Sequence, residues 1–550
     1  MRIIGYHAWQ KDGEGYLANS RGEVRAEPPY LDWLLGQEAD MRACYDLDTF
    51  AAVLFRLIDV TKDEAAKWGK AKTLYLKRGD GKTPFVTLYE IFYIPAKYLG
   101  ISIGRGRGRP YAGFYNAEQY FEAITLEENP TIEQTIEKAK LAGAKASEVL
   151  AINQRLGLAP TLTSPKKALE KSLLINMDFP THEDIPAEVN DMALKACPGN
   201  WVEAFGIGHY PAVYDWDISG AYASRLAELY DTRRGEWVNG PEKPNGAVYG
   251  FAKVKVDIEA EFSPILYFID SETTYSPQGG WETYLTAQEL DFIDNYHLGS
   301  YQILDAWWWL PVGKRGLNGQ LLTTNQNQPL KGIINHLWRK RQGTEGLEKK
   351  IIKRGMAGLW GRMLEAPRKE KGKTVYGDGY NPVWGAIVEA DTRLEVARLA
   401  IHNGIIPLAV AVDGMITTKP LPVPSTGELG TWRLSHTGAV IIAGSGQVAM
   451  QTKEGEGDFA LRYDWLKSAI DADPQAGEYT MDKISVTTLA SALSVDFDQL
   501  GATKRATRAV RIGADTKRFY MDEPETGADL LTKQYESMPL LVEDIMVAQH

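Results

Sequence analysis

Residues 213–226, VYDWDISGAYASRL, combine three features that seldom occur together. Valine and aromatic residues predict a buried strand, yet two acids, Asp215 and Asp217, lie at its end. Small residues follow around a single tyrosine, Tyr222, and predict a tight turn. A lone carboxylate among apolar residues is costly unless a cation pairs with it. This stretch therefore predicts a strand that ends in a functional acid, or in an acid that caps the next element.

A second acid, Asp413, has the same kind of context. It interrupts the apolar run IIPLAVAVDGMIT, residues 405–417, and a glycine follows it at once. Capping of a helix or turn is the more frequent role for either acid alone. As a pair, the two acids fit a site for divalent metal ions. With cations nearby to bind a polyphosphate, such a site has the parts needed for two-metal phosphoryl transfer.

The composition is that of an ordinary globular protein with several domains. The chain has 550 residues, of which 44% are hydrophobic and 24% charged, and this length predicts three or four domains. No apolar run is long enough to cross a membrane, and the start lacks the apolar segment of a signal peptide. The two cysteines, Cys44 and Cys197, are too few for a metal cluster or disulfide framework, which indicates the cytoplasm.

Charge is distributed unevenly along the chain. The formal net charge of −11 argues weakly against nucleic acid as a partner. However, residues 331–374 contain 13 lysines or arginines and 4 glutamates, and residues 502–518 contain six basic residues and one acid. A solvated charged face explains either segment alone. Two such segments beside a pair of candidate metal-binding acids favour an anionic partner such as nucleic acid.

Hydrophobic periodicity and capping residues predict the main helices and strands. Strand patterns occur at residues 82–103 and 245–262, and AWWWLP at 306–311 is typical of a buried core. Helix patterns occur at residues 129–157, 286–299, 329–343, 345–364 and 385–404. The third and fourth of these predict a basic antiparallel helix pair.

Several segments, taken in order, resemble the motifs of family B DNA polymerases. DISGAYAS at 217–224 resembles motif A, an aspartate followed by a Ser-Leu-Tyr-Pro type of turn. KRGMAGLWGRM at 353–363 resembles motif B, and AVAVDGMI at 409–416 takes the place of motif C. Residues 380–393 and 429–450 are similar to the segment between motifs B and C and to the start of the thumb. The spacing is most similar to the protein-primed phage and plasmid subgroup.

The resemblance covers residues 201–450 well and implies a fold. That fold is a mixed α+β, multidomain right-hand polymerase with an RNase H-like, exonuclease-type amino-terminal domain. The implied regions are the exonuclease-like domain (1–200), the first part of the palm (201–330), the fingers (331–362), the second part of the palm (363–422), and the thumb with the carboxy-terminal region (423–550).

The resemblance also implies a metal site. Asp413 matches the second aspartate of motif C, and Asp217 is the aspartate of motif A. These two acids would hold two Mg²⁺ ions, with Mn²⁺ as an alternative, and the carbonyl of Ile218 would complete one coordination sphere.

Further residues are implied to bind the dNTP. Tyr222 would lie under the incoming sugar, leave no room for a 2′-hydroxyl and so select dNTPs. The backbone N–H groups that would bind phosphates are those of Ser219, Gly220 and Ala221.

The fingers would supply cations and a surface for the base pair. Lys349 and Lys353 are four residues apart and share one helix face, and Arg341 lies on the preceding helix. Together they would clamp the triphosphate, with Lys353 also serving in catalysis. Without the motif context, an exposed charged helix explains these three residues. The residues that would pack over the nascent base pair are Gly358, Trp360 and Gly361.

The chain departs from the family pattern in both motifs B and C. Ala357 and Trp360 replace the Asn and Tyr of motif B. In motif C, Ala409, Ala411 and Gly414 replace the Tyr, the first Asp and the Ser. These changes put fidelity, rate and primer binding in question, but they retain both metal-binding acids.

The amino-terminal region lacks the acids of a proofreading exonuclease. The family's Asp-x-Glu belongs on the first strand, but residues 3–10, IIGYHAWQ, contain no acid. Residues 44–54, CYDLDTFAAVL, resemble the second exonuclease motif with its aspartate displaced. A 3′–5′ nuclease needs about four carboxylates to bind its metals. We therefore expect this domain to be a scaffold without activity.

The leading hypothesis is a phage or plasmid DNA polymerase without proofreading, acting in the host cytoplasm and not at a membrane. Its partners would be primer-template DNA, dNTPs and a terminal protein or other replication proteins. Two alternatives are open. A degenerate polymerase that only binds DNA is favoured by the altered motifs, and a metal-dependent nuclease could use the same acids. Priming by protein, by RNA or de novo stays undecided.

Overall fold

The computed structural model describes most of the chain after residue 130 and parts of it before. The described ranges are 2–11, 14–25, 41–46, 50–51, 85–89, 111–116, 130–157, 178–268, 273–312, 327–370, 373–451, 461–487, 503–513 and 515–547, with single residues or pairs at 33, 37, 39, 62–63, 66, 121, 169 and 492. Most of the predicted strand segment 82–103 and part of the exonuclease-like motif at 44–54 lie outside the described residues.

The amino-terminal region contains a mixed sheet. Its described strands are β1 (Ile3–Lys11), β2 (Glu14–Asn19), β3 (Val24–Arg25), β4 (Met41–Cys44), β5 (Phe85–Tyr89) and β6 (Tyr111–Asn116). They lie in the order β3-β2-β1-β4-β6-β5. Pairing is antiparallel from β3 to β1 and parallel from β1 to β5. Residues 4–8 of β1 are all buried, as expected of a central strand covered on both faces.

The five helix predictions are confirmed, with small differences at their ends, among ten described α-helices. They are α1 (Ile132–Arg155), α2 (Ala187–Lys195), α3 (Ala221–Glu228), α4 (Ala287–Tyr296), α5 (Lys331–Gln342), α6 (Gly346–Met363), α7 (Pro382–His402), α8 (Tyr463–Ala472), α9 (Gly527–Thr532) and α10 (Val542–Val547). Capping boxes start α1 at Thr131 and α4 at Thr286, and a capping box is a local sequence pattern that predicts where a helix begins. α4 ends earlier than predicted, because His297 caps it with a left-handed φ of 53°.

A second, larger sheet, which we call the central sheet, contains the strand of the opening stretch of the sequence analysis. Its strands are β7 (Val202–Ala204), β8 (Gly206–Ile218), β17 (Ala409–Ala411), β18 (Gly414–Thr417), β19 (Trp432–Gly444) and β20 (Gln447–Met450), in the order β20-β19-β8-β18-β17-β7. β24 (Gln534–Pro539) pairs with the start of β8 and with β23 (Arg518–Tyr520). This sheet therefore collects strands from three separate parts of the chain. The predicted strand at the opening stretch is β8.

A further antiparallel sheet supports the central one. Its strands are β9 (Gly235–Asn239), β10 (Tyr249–Ile258), β13 (Gly279–Thr286) and β14 (Gly299–Pro311), in the order β13-β10-β14-β9. Short antiparallel pairs form between β11 (Tyr267–Phe268) and β12 (Thr274–Tyr275), and between β15 (Arg368–Glu370) and β16 (Lys373–Val375). Trp308 and Trp309 of β14 are fully buried, which confirms that the AWWWLP cluster belongs to a core.

Helix α7 joins two hydrophobic cores. Its first half packs into one cluster with α2, α3, α5 and α6, and its second half into another with β10, β13 and α4. Asn381 caps its start through the N–H of Trp384, and Pro382 fits the first helical turn. This helix is buried on most sides, and its buried residues include the charged Glu389 and Arg393.

The basic helices α5 and α6 contact the amino-terminal region. Leu347 and Ile351 of α6 pack in one cluster with Ala142, Ala146 and Val149 of α1. Nearby, Arg155 Nε donates to Glu348 Oε2 at 2.8 Å. The amino-terminal region therefore acts as a support for these basic helices.

The carboxy-terminal part is anchored to the central sheet by buried charge. Arg518 of β23 and Glu203 of β7 form an ion pair of 3.0 Å in which both side chains are buried. Ser276 and Trp201 donate to the same glutamate, so its oxygens are well satisfied. Beyond this anchor, β21 (Glu478–Val486) and β22 (Thr503–Arg511) form a separate antiparallel pair that carries most of the second basic segment. Among the described helices, none has the length and apolar character needed to cross a bilayer.

We expect acid to destabilise the amino-terminal sheet through His7. This residue is buried in β1, and burial, reinforced by the charge of Lys138, lowers its pKa to about 3. The unfolded chain binds a proton near pH 6.5 but the folded sheet does not, so stability is lost as the pH falls below 6.5. The loss is about 2 kcal/mol at pH 5. Hydrogen exchange of β1, corrected for intrinsic rates, should report it.

The variant His7→Gln keeps a polar group of similar size and removes the titration. Its β1 protection should change less between pH 7 and pH 5 than that of the wild type. The exposed His336 offers a matched control, because His336→Gln should leave the wild-type pH dependence intact. An unchanged pH response in His7→Gln would rule out this histidine as the cause.

Candidate active site

The two candidate acids meet because the β17–β18 hairpin lies beside β8. Gly414 of β18 is directly opposite Asp217. Asp413 is the second residue of the two-residue turn between the strands, and its carbonyl accepts a hydrogen bond from the Ile218 N–H at 3.0 Å. A Cβ atom on Gly414 would lie 2.7 Å from the Trp216 carbonyl oxygen, so glycine permits this close approach. Strand pairing therefore joins two acids that are far apart in sequence.

Asp217 is paired with an arginine from the strand on its other side. Arg433 of β19 is directly opposite Asp217 in the register of β8 and β19. Its Nη2 and Nε atoms donate to the same oxygen, Asp217 Oδ2, at 2.5 and 3.2 Å. The Arg433 side chain is 42% exposed and that of Asp217 27% exposed. The acid is therefore neutralised by a cation at a position that solvent can reach.

The pKa of Asp413 depends on the charges around it. Burial raises its pKa first and repulsion by Asp217 raises it further, to about 7, while Lys353 and Arg433 oppose the rise. Lys353 is exposed on α6. The residue before the acid, Val412, has a left-handed φ of 58°, which is rare for a β-branched side chain and typical of functional turns. The two acids thus form a site that an added cation would stabilise.

Helix α5 brings a second guanidinium to the site. Arg341 stacks on Trp338, with 4.6 Å between its central carbon and the ring centroid. Burial lowers the pKa of Arg341, the charge of Arg433 lowers it further, and Asp217 raises it. Its buried Nε has no hydrogen-bond partner within the described ranges. Arg341 therefore lies among the charges around Asp217 with donor capacity to spare.

The turn after β8 starts α3 without a side-chain cap. Gly220 is the N-cap residue with a left-handed φ of 65°, so Asp217 does not cap this helix. The first N–H groups of a helix lack intrahelical partners, and the helix dipole favours an anion there. The N–H of Ser219, however, donates to the Thr431 carbonyl at 2.9 Å. This amide therefore already has a partner within the chain, and phosphate binding by the amides of Ser219, Gly220 and Ala221 stays a prediction.

Tyr222 is held on two sides. Its ring stacks on Trp360 with centroids 4.5 Å apart and an interplanar angle of 25°. Its hydroxyl donates to Asn200 Oδ1 at 3.1 Å, and Trp360 Nε1 donates to the Gly385 carbonyl at 3.0 Å. Burial raises the pKa of Tyr222, and the charges of Glu389 and Asp413 add to the rise. The tyrosine is therefore a neutral, oriented ring close to the acids.

A buried polar network lies close to Tyr222. Glu389 of α7 accepts hydrogen bonds from the Gly199 N–H at 2.8 Å and from Cys197 Sγ at 2.7 Å. Arg393 pairs with Glu389 at 3.4 Å and with Glu289 at 2.5 Å. Burial raises the pKa of the Cys197 thiol, so this cysteine stays protonated and serves as a donor. The network fixes the backbone next to Asn200.

Other predicted residues lie at the margin of the site. Lys349 is exposed one turn before Lys353 and, within the described part of the chain, forms no ion pair with either acid. Gly358 and Gly361 flank Trp360 on α6. Asp215 is buried in β8 opposite Ile416 and His436, on strands either side.

The sequence alone did not point to Arg433, Trp338, Asn200 or Glu389. No spacing marks Arg433, because only the register of β19 places it opposite the first acid. Trp338 lies three residues before Arg341 on a predicted helix, so the contact between them could have been anticipated.

Comparison with known proteins finds a likeness of fold. No protein-family model matches the chain, and no curated protein does. Among solved structures, phi29 DNA polymerase with primer-template DNA is similar, with a TM-score of 0.59, 13% identity, and coverage of 93% of this chain and 100% of the other. The ternary complex of this polymerase with primer-template DNA and incoming nucleotide substrates has a TM-score of 0.56 and 13% identity, with 92% of this chain and 98% of the other covered. Its complex with single-stranded DNA has a TM-score of 0.57 and 12% identity, with 88% of this chain and 97% of the other covered. The chain is therefore a mixed α/β multidomain protein whose fold is similar to that of this polymerase.

We expect Gly220→Ala to destabilise the start of α3. An alanine there would need a left-handed φ, and its Cβ would lie 2.8 Å from Trp338 and 3.1 Å from Leu429. The backbone cost is about 1 kcal/mol and crowding adds roughly 1–2 kcal/mol. Gly404→Ala is the matched control, since Gly404 has a φ of 60° and open space around it. Urea unfolding should show the larger loss at Gly220; equal losses would mean that the contact with Trp338 does not constrain the turn.

Proposed function

We propose that the protein is a template-directed DNA polymerase that adds dNTPs to a primer 3′-hydroxyl. The observation that carries this proposal is the pairing of β8 with β18, which brings Asp217 and Asp413 together. Lys353 and Arg341 lie close enough to influence these acids. Acids and cations at one site suit phosphoryl transfer, in which positioning and charge stabilisation supply most of the catalysis. The likeness of fold to phi29 DNA polymerase supports the proposal.

We assign the chain to family B, nearest the protein-primed phage and plasmid subgroup. The central sheet is the palm, α5 and α6 are the fingers, and the segment after the palm includes the thumb. The strands β19, β20 and β24 follow residue 422 but pair within the central sheet. We therefore propose that these three strands belong to the palm as well. The mixed sheet of the amino-terminal region supports an RNase H-like, exonuclease-type domain there.

The two acids are a suitable protein contribution to a Mg²⁺ or Mn²⁺ site. Mg²⁺ is commonly held by one or two carboxylates, with water and substrate phosphates completing the coordination. Asp413, half-buried and facing Asp217, is a carboxylate that such a cation would stabilise. The carbonyl of Ile218 would be a third protein ligand. The metal would activate the primer hydroxyl and neutralise charge on the phosphates.

The cations of the fingers bind the triphosphate and hold it for in-line attack by the primer. Arg341 and Lys353 neutralise the phosphates, and Lys353 also offsets charge on the departing pyrophosphate. The amides of Gly220 and Ala221 add donors at the start of α3. Lys349, one turn away, adds positive charge where the triphosphate enters. The new bond forms between the primer oxygen and the α-phosphorus as the bond to pyrophosphate breaks.

Tyr222 selects the sugar, and Trp360 orients the tyrosine ring by stacking on it. The stacked pair presents a rigid surface beneath the incoming nucleotide, and a 2′-hydroxyl would clash with the ring. Gly358 and Gly361, on either side of Trp360, allow the nascent base pair to approach α6 closely.

The amino-terminal domain supports the fingers and does not proofread. β1 carries no acid, and its centre is occupied by buried Tyr6, His7 and Ala8 instead. The basic residues of α5, α6 and β22 bind the DNA backbone without sequence preference, so binding weakens with salt.

We expect primer extension to require both acids. With a labelled primer-template, dNTPs and Mg²⁺, the wild type should extend the primer. Asp217→Asn and Asp413→Asn should each lower the rate by about a hundredfold or more, because each removes a metal ligand without changing size. Asp291→Asn, at an exposed acid paired with Lys243, is the matched control and should leave the rate unchanged.

Other outcomes would identify the alternatives. Absence of extension with either metal, combined with DNA binding, would favour a polymerase-like accessory protein. Shortening of the primer that depends on Asp217 would favour a nuclease.

We expect Tyr222→Ala to admit ribonucleotides. Removing the ring opens space for the 2′-hydroxyl, so the preference for dNTP over rNTP, measured as the ratio of kcat/KM values, should fall by about tenfold or more. Tyr222→Phe loses only the hydrogen bond to Asn200 and should keep the preference. Unchanged selection in Tyr222→Ala would show that another group excludes the ribose.

A further inference from the structure

The pairing of Arg433 with Asp217 has no part in the proposed reaction as described. Two nitrogens of the arginine, Nε and Nη2, donate to one oxygen, Oδ2, of the acid that a metal would need. The two residues are directly opposite in neighbouring strands, so their side chains share one face of the sheet. The register holds the Arg433 backbone in place, and 42% of its side chain is exposed to solvent.

Arg433, Arg341 and Lys353 bring positive charge close to the two acids. Arg433 contacts Asp217, Arg341 lies close enough to interact with the charges of Arg433 and Asp217, and Lys353 lies close enough to interact with that of Asp413. A divalent ion that entered alone would displace Arg433 and then face three positive side chains. A divalent ion that entered with a polyphosphate would not, because the phosphates carry the compensating negative charge.

Two guanidinium groups at this site also fit a polyphosphate. Arg433 and Arg341 are close enough for the charge of one to lower the pKa of the other, so an anion between them would relieve repulsion. The buried Nε of Arg341 has no hydrogen-bond partner among the described residues. Guanidinium groups bind phosphate through paired N–H donors.

We infer that Arg433 holds Asp217 when no substrate is present and moves to the triphosphate when substrate arrives, so that the divalent ion binds together with the polyphosphate and not before it. Arg433 is thus a substrate-binding residue that also guards the metal ligand. The identity of the polyphosphate as a nucleoside triphosphate rests on the proposed function. The exchange of Arg433 between carboxylate and phosphate does not depend on that function.

The test measures two ligands separately, without catalysis. Mn²⁺ binding to the full-length protein is followed by electron paramagnetic resonance, and binding of inorganic tripolyphosphate by calorimetry with a metal chelator present. Arg433→Gln should bind Mn²⁺ about tenfold more tightly than the wild type, because Asp217 is released. The same variant should bind tripolyphosphate several-fold more weakly. Changes of opposite sign are expected of an exchanging arginine, whereas damage to the fold would weaken both.

Three further variants make the result decisive. Arg398→Gln, at an arginine of similar exposure that pairs with Glu395, should change neither affinity. Adding Asp217→Asn to Arg433→Gln should remove the gained Mn²⁺ affinity. Arg433→Lys keeps the charge but loses the paired donors, so it should give a smaller shift of the same sign and serves if the glutamine variant does not fold.

The outcomes separate this inference from the proposed function. Equal Mn²⁺ affinity in the wild type, Arg433→Gln and Arg433→Lys would overturn the inference, even if primers are extended. Opposite changes in the two affinities without any primer extension would uphold the inference and reject the polymerase.

Discussion

The register of β8 between β18 and β19 is the constraint on which the site depends. It places Gly414 on one side of Asp217 and Arg433 on the other, and it sets Asp413 at the turn beside Ile218. A shift of one residue would turn Asp217 to the opposite face of the sheet. Buried neighbours such as Trp216 and Met415 oppose such a shift, because they would then face the site.

Helix α7 is the second constraint on the site, since it links both hydrophobic cores to the residues around Tyr222. Its apolar residues pack into both cores, while Glu389 and Arg393 form a buried network of hydrogen bonds and ion pairs. Such a network is specific because each unpaired group would be costly in the interior. Through Gly199 it fixes the segment that holds Asn200 and hence the hydroxyl of Tyr222. Tyr222 thus depends on residues far from it in sequence.

A polymerase-like fold at 13% identity shows how little of a sequence the architecture demands. Core positions require apolar residues of suitable size, and many sequences satisfy them. The strand-end acids are different, because no other residue type supplies a small, rigidly placed carboxylate. The first strand illustrates the reverse case. Its centre holds His7 among buried residues, and a packed strand needs no acid there.

The sequence by itself determined the local elements, including the helices whose caps and periodicity are explicit, the buried AWWWLP cluster, and the two acids at strand ends. It did so because capping and amphipathicity act over a few residues. Only the tertiary structure decided which distant side chains meet, as Arg433 does with Asp217 and Asn200 with Tyr222. It also showed that the Ser219 amide is already bonded. These facts depend on strand register and helix packing between distant segments, which no local pattern encodes.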